Sequence, residues 1–415
     1  MPAPATPTPV PAPATTAHPK PATKSPAKAS PAPSSKTPAT TTSIGPGDHV
    51  QKSIRAGNTV IRGVNLGGWL VAERWMTEGQ PCWKNVSDDI SYLGEYFTMK
   101  SLTHTPGDDQ FKQHRDTWIT EQDIQAIASI GLNLVRVPVG FWIMGDQSPD
   151  QSPDAPWRTF APGSIDYLDR LINDWAVKYN LAVMLSLHGH IWSQNGYDHS
   201  APLIAREQHW TDDDKYDDNK EYSIQWAAFM AERYRTSVAF LGLNLMNEPL
   251  TPAKEDLILD YFQEAYGRIR STNDNDCILV VSPQVGAQSP GNMQDFMLAP
   301  NYTNVWHEWH PYFIWGHENS NAKQIIDAAN GSWHGNPLFF GEWCLNASSS
   351  AVFTKDTMQQ YVDAQLSSFK TAQKGYTFWS WRHSDYAHGK RTGWSLMDIL
   401  NEKDPNYQVK FDFSQ

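Results

Sequence analysis

Residues 240–251 read Phe240-Leu-Gly-Leu-Asn-Leu-Met-Asn-Glu-Pro-Leu-Thr251. The apolar run Phe240–Met246 has strand character, and it hands over to Asn247-Glu248-Pro249, where Pro249 lacks the N–H an interior strand must donate. Glu248 is thereby expected at the C-terminal tip of a strand. A second run, Leu338-Phe-Phe-Gly-Glu-Trp343, delivers Glu342 in the same manner.

Outward from these two runs, short apolar segments alternate with longer ones of helical period. This is the pattern of a parallel sheet with crossover helices. The strand candidates are Ile61–Leu66, Leu134–Val139, Ala182–Leu187, Ala239–Met246, Ile278–Val281, Val305–Trp309, Leu338–Gly341 and Tyr376–Trp379. Between them, residues 253–270 carry Ile258, Phe262, Ala265 and Ile269 on one helical face. Residues 165–179 carry Leu168, Leu171, Ile172 and Trp175, and residues 356–373 carry Met358, Tyr361, Val362, Gln365 and Phe369. Eight strands with intervening helices predict an α/β protein of the closed (β/α)8 TIM-barrel class over residues 49–415. Barrels of this class place chemistry at the C-terminal strand ends. No strand is followed by GxGxxG or GxxxxGK[ST], so a nucleotide site is not expected. Residues 73–118 and Arg206–Tyr222 read as long loops over the cleft. The acidic run in the second, Asp212-Asp213-Asp214 with Asp217-Asp218, lacks the spacing of a calcium loop and reads as a solvated face.

Residues 1–48 are of another kind, holding 13 of the 29 prolines with Ala, Thr, Ser and four lysines. They cannot bury enough apolar area to offset their ordering entropy and are expected to form a disordered, semi-extended linker. Such a linker implies a module or anchor before it. The net charge of −12 disfavours nucleic acid or an anionic membrane as partner. No run of 18 apolar residues is present, so no membrane-spanning helix is expected, and the N-terminus has no apolar signal core. Asn85, Asn301, Asn330 and Asn346 stand in N-glycosylation sequons, which favours an extracellular or cell-wall setting. Cys82, Cys277 and Cys344 show no metal-ligand or redox spacing. One disulfide with a free thiol and three buried thiols both remain open, burial being favoured for Cys277 and Cys344.

Two carboxylates at a barrel mouth suit glycosidic bond cleavage, in which one protonates the leaving oxygen and the other attacks carbon or activates water. Either glutamate alone reads more often as half of a structural ion pair than as a catalyst. Arg136, expected at a strand end, could keep Glu342 ionised, and Asn247 could bond a sugar hydroxyl. His188 ends the third strand, and His310 and Tyr312 follow the sixth. His307 and His310 point to opposite faces of a strand, which argues against a metal and for substrate contact or carboxylate orientation. Trp379 would offer a flat face to a sugar ring, and Gln194, Asn195 and Asp198 lie in a polar loop suited to reading hydroxyls. Trp69, Trp75, Trp83, Trp192 and Trp315 fall in expected loops, where a core role is less automatic. No GxSxG elbow supports an esterase.

With these residues in view, the chain resembles glycoside hydrolase family 5 (clan A), and within it the exo-β-1,3-glucanase subgroup. The matching segments are Arg62-Gly-Val-Asn-Leu-Gly-Gly-Trp-Leu-Val71 with Glu73, Gly131-Leu-Asn-Leu-Val-Arg-Val-Pro138, Leu187-His-Gly189 with Ser193-Gln-Asn-Gly-Tyr-Asp198, Asn247-Glu-Pro249, His310-Pro-Tyr312, Gly341-Glu-Trp343 and Phe378-Trp-Ser-Trp381. The resemblance implies a retaining double displacement with Glu248 as acid/base and Glu342 as nucleophile. It also implies that Arg136, His188, Asn247, His310, Tyr312 and Trp379 surround the reacting sugar, while Glu73 and Asp198 hold the terminal glucose. No metal and no cofactor are implied, and the expected partner of a monomeric enzyme is a β-glucan. The acid must keep its proton until attack. His190-Ile191-Trp192 and His199 depart from the subgroup and are expected near the glucose pocket. A β-1,6-glucanase, a β-glucosidase, an endo-β-glucanase, a catalytically silent carbohydrate-binding protein and a structural wall protein remain the alternatives.

Overall fold

A computed structural model describes residues 49–289, 291–384 and 391–413; the proline-rich segment 1–48 lies outside the described residues. Eight parallel strands close into a barrel in sequence order. They are β1 (Ile61–Asn65), β2 (Leu134–Gly140), β3 (Ala182–Gly189), β4 (Phe240–Asn244), β5 (Ile278–Val281), β6 (Val305–Trp309), β7 (Leu338–Phe340) and β8 (Gly375–Phe378). All eight expected runs are strands; β5 and β6 keep the expected bounds, and the ends of the others move by one or two residues. Strand β4 stops at Asn244, so Asn247-Glu248 stand just beyond the strand rather than at its last residue.

The pleat sorts each strand into an outward set, packed on the helices, and an inward set. Val135, Val137, Val183, Leu185, Leu279 and Val281 belong to the outer core shared with the helices. Ile61, Leu134, Met184, Leu241, Ile278, Trp306 and Phe339 fill the barrel's interior toward its N-terminal end. One or two pleats higher the interior turns polar: Asn65, Arg136, Ser186, His188, Asn244 and Glu308 are all buried. Burial of so many polar groups is tolerable only where each finds partners, and that requirement shapes the site above. The strands approach closely enough at Gly242 that a Cβ there would lie 1.9 Å from the Ile278 carbonyl oxygen.

Helices wrap the barrel where periodicity predicts them. The helix Glu255–Arg270 starts with Glu255 and Asp256 and ends with Arg268 and Arg270, charges that suit its dipole, and it buries Ile258, Phe262, Ala265 and Ile269. The helix Lys355–Thr371 begins at a capping box formed by Thr354 and Thr357. Over residues 164–179 one π-helical turn, Leu171–Trp175, interrupts the α-helix.

Two expected loops are corrected. Much of residues 73–118 is helical, with helices at Asp88–Ser91, Glu95–Leu102 and His104–Trp118. They form a small layer around Cys82, Trp83, Met99 and Phe111. The segment from Arg206 is loop only to Lys215, because Tyr216–Arg233 is a helix whose first turn holds Asp217 and Asp218. Polar residues disguised both, as surface helices carry few apolar positions. Trp69 and Trp83 are core residues rather than loop surface, and Cys82, Cys277 and Cys344 are buried free thiols. Among the described residues no helix is long and apolar enough to cross a membrane.

Candidate active site

Arg136 anchors the polar end of the barrel. It sits mid-strand in β2, not at its end, and points inward with no exposed surface. Its Nη1 donates to Asn65 Oδ1 and to Glu342 Oε1, both at 2.9 Å. Its Nη2 donates to Asn247 Oδ1 at 2.8 Å and faces Glu308 Oε1 at 3.0 Å. One rigid fork thus ties β1, β2, β6 and the segments after β4 and β7, fixing both the Asn247-Glu248 corner and Glu342. Asn65 completes the tie by donating to the Gly341 and Phe378 carbonyls.

His310 is the second hub. Its Nδ1 lies 2.7 Å from Glu248 Oε1 and 3.5 Å from Glu342 Oε2, and its Nε2 lies 3.1 Å from Glu308 Oε1. Burial alone would lower its pKa, but Glu342, Glu248 and Glu308 together push it up to about 10. Burial pushes Glu248 up, yet the hydrogen bond and charge of His310, with His199 and Arg136, outweigh it and hold the carboxyl at about 2. His310 and Glu248 share a short bond of 2.7 Å, and the surrounding charges favour the imidazole end as the seat of its proton. Three carboxylates around one imidazole make that the favoured seat. Glu342 is raised by burial and by Glu248, against the opposing pull of His310 and Arg136. The Tyr312 hydroxyl donates to Glu342 Oε2 at 2.8 Å, and burial with that carboxylate pushes the phenol well above its ordinary value. A carboxylate oxygen of each glutamate and a His310 nitrogen lie within 4.8 Å of one another.

Glu248 has φ 46°, in the left-handed region that a side chain seldom occupies. The polar loop after β3 holds this corner. Gln194 Nε2 donates to the His188 and Asn247 carbonyls, both at 2.7 Å, while its Oε1 accepts from His190 N. Asn195 Nδ2 donates to the Glu248 carbonyl and its Oδ1 accepts from Tyr197 N. Gln194 and Asn195 were expected to read sugar hydroxyls; their amides are instead consumed in bracing the backbone. Asp198, in the same loop, acts on Glu73 through its charge.

The remaining expected residues converge. His188, neutral because burial and the charges of His199, Arg136 and His310 lower its pKa, stacks at 5.7 Å on Trp379, and its Nε2 lies 3.3 Å from Asn247 Nδ2. Glu73, after β1, accepts from Trp75 Nε1 at 2.9 Å, and its Oε1 is buried without a partner among the described residues. Burial first, and then the charge of Asp198, raise Glu73 well above the usual carboxylate range. Asp198 itself is raised by burial.

His199 does reach the site, 3.6 Å from Glu248 Oε2, with its ring stacked on Tyr197. His190 does not. It turns outward to Ser223 Oγ and the Leu245 carbonyl, among Trp210, Trp226 and Tyr261. Trp192 lies under the Lys215 ammonium. Both were expected near the pocket because their neighbours in sequence are, but β3 ends at Gly189 and the chain then turns, with Trp192 and Ser193 at φ 62° and 58°, which takes their side chains elsewhere. Tyr197 and Trp315 are exposed rings, Trp315 edge-on to Tyr312. Sequence reasoning missed Asn65 and Glu308. Glu308 stands two residues before His310, a spacing that marks the same face of a strand.

The cellulase profile, glycosyl hydrolase family 5, matches residues 96–385. The chain is similar to glucan 1,3-beta-glucosidase 2 of Wickerhamomyces anomalus, 26% identical over 378 residues, covering 78% of this chain and 84% of the relative. It is similar to a probable glucan 1,3-beta-glucosidase of Arthroderma benhamiae, 27% identical over 405 residues and covering 86% and 91%. Among solved structures, rutinosidase from Aspergillus niger shares the fold with a TM-score of 0.68 at 21% identity, over 84% of this chain and 98% of that one.

Proposed function

The chain belongs to glycosyl hydrolase family 5 and is a glycoside hydrolase, and from that premise we propose that it is a retaining, exo-acting β-1,3-glucanase releasing glucose from non-reducing ends of a β-glucan. Glu342 is the nucleophile and Glu248 the acid/base. The observation that carries this reading is the proximity of the two carboxylates, with oxygens within 4.8 Å of one another. A retaining pair needs about 5–5.5 Å between carboxyl groups, whereas an inverting pair stands about 6.5–9.5 Å apart to admit water.

In the first step a Glu342 oxygen forms a bond to the anomeric carbon as the glycosidic C–O bond breaks. The leaving oxygen takes from Glu248 a proton that the carboxylate receives along the 2.7 Å bond from His310 Nδ1. Esterified Glu342 no longer carries charge, so one of the three carboxylates that held the proton on His310 is gone at the moment of transfer. In the second step water attacks the anomeric carbon and gives its proton back to Glu248, and Glu342 departs as carboxylate. Arg136 and Tyr312 donate to Glu342 and stabilise it as a leaving group. Trp379 and His188 form one stacked wall for the reacting sugar, and Glu73 and Asp198 meet the hydroxyls of its far side. The names of the relatives support β-1,3-glucan as the substrate.

The enzyme acts without a cofactor, as a monomer, outside the cell or in its wall. The exposure of Asn85, Asn301 and Asn330 supports glycosylation at three sequons. Asn346 is half-buried, and its Oδ1 accepts from Gly393 N at 2.8 Å. The test is digestion of laminarin and pustulan with NMR of the first-formed sugar. β-Glucose from laminarin is expected. Oligosaccharides alone would indicate an endo-enzyme, preference for pustulan a β-1,6-glucanase, and α-glucose would refute retention. Glu342→Gln should abolish turnover; near-normal hydrolysis by it would remove the nucleophile assignment.

A further inference from the structure

Glu308 touches both cations of the centre. Its Oε1 lies 3.0 Å from Arg136 Nη2 and 3.1 Å from His310 Nε2, and its side chain has no exposed surface. Its Oε2 has no partner among the described residues. The neighbouring strand has made room for it: a Cβ on Gly341 would lie 1.5 Å from Glu308 Oε1, so the residue just before Glu342 can carry no side chain while Glu308 stands there. A carboxylate taken wholly out of water is costly even when paired, and apolar packing often serves stability as well or better. The barrel's lower interior already has that apolar packing, with Trp306 two residues before Glu308.

We propose that Glu308 is a positioning residue of the hydrolytic reaction, whose carboxylate holds His310 and Arg136 beneath Glu248 and Glu342 and keeps the shared proton on the His310–Glu248 bond. This rests on the reading of Glu248 and Glu342 as the reacting pair. The groups facing His310 are Glu248 after β4, Glu308 on β6, Glu342 after β7, Arg136 on β2, His188 on β3 and His199 in the loop after β3. The Glu308 charge favours the protonated form of every titrating neighbour. Its loss therefore lets the His310–Glu248 proton leave at lower pH, and it also makes Glu342 harder to protonate.

The test is the pH dependence of kcat/KM for Glu308→Gln, which keeps the shape and an acceptor oxygen but removes the charge. Both limbs of the bell are expected to move to lower pH by about one unit or more, the range for loss of a charge at this distance. The loss at the optimum should fall on kcat rather than KM. Glu308→Asp, which retains the charge, should leave the bell in the wild-type position with reduced kcat. The position of a bell does not depend on how much of the protein is folded, so misfolding lowers its height only. A Gln variant with the wild-type bell, or an Asp variant with a shifted one, would overturn the proposal. Glu342→Gln measured alongside separates the two readings: if it still turns over, the assignment of the reacting pair fails, not the role of Glu308.

Discussion

Replacing Arg136 with lysine keeps one positive charge at the centre and removes the fork. The guanidinium makes four contacts through two nitrogens, to Asn65 and Glu342 from Nη1 and to Asn247 and Glu308 from Nη2. A single ammonium cannot occupy both nitrogen positions. The expected minimum loss is one contact to a carboxylate, about 1.5–3 kcal/mol, and one to an amide, about 1 kcal/mol. Because Arg136 positions Glu342 and the Asn247-Glu248 corner together, the sum of about 2.5–4 kcal/mol should appear in the transition state. That is a fall in kcat/KM of roughly 70- to 900-fold at 1.36 kcal/mol per decade. The assay is steady-state hydrolysis of an aryl β-glucoside and of laminarin, with thermal unfolding measured in parallel to correct for unfolded enzyme. Activity within about threefold of wild type, a difference of under 1 kcal/mol, would refute the argument that one residue holds both carboxylates.

Glu248→Gln should lose activity steeply on glucans yet retain much more on aryl glucosides with acidic phenols, since such leaving groups need no proton; equal losses on both would contradict the acid role. Glu342 is raised above the ordinary carboxyl value of 4.5 by burial and by Glu248. It must be ionised to attack, so activity should be present above its pKa and lost as pH falls through it. The acid limb of kcat/KM should thus lie above pH 4.5, and a limb below that value would contradict the raised direction. Gln194→Leu removes three hydrogen bonds that hold the strained corner at Glu248. It should lower kcat at least about tenfold and lower the melting temperature, each lost buried bond costing about 1 kcal/mol or more; unchanged kcat would show that the corner holds itself.

The barrel was legible in the sequence because each strand needs only its own residues to announce it: a short apolar run, a turn signal, and a helix-period segment before the next. The ten residues expected at the candidate site could be nominated for a related reason. Eight of them stand on or within a few residues of a strand's C-terminal half, where barrel topology forces them to one end. Glu73 and Asp198, set deeper in the loops after β1 and β3, were reached through the family resemblance. What the sequence did not carry was the partner of each polar group. His190 and His199 lie in one loop, yet one bonds Ser223 behind the barrel and the other faces Glu248. Gln194 and Asn195 have the chemistry of sugar readers, and only the closed backbone reveals that their amides are spent at the Asn247-Glu248 corner. The place of the proton is the extreme case. Residues from β2, β6 and the segments after β4 and β7 must come within a few ångströms before His310 and Glu248 can share it. Periodicity is local and decides which face a side chain occupies. Hydrogen bonding and charge act through space, so the surroundings of the proposed catalytic pair were decided by the tertiary structure alone.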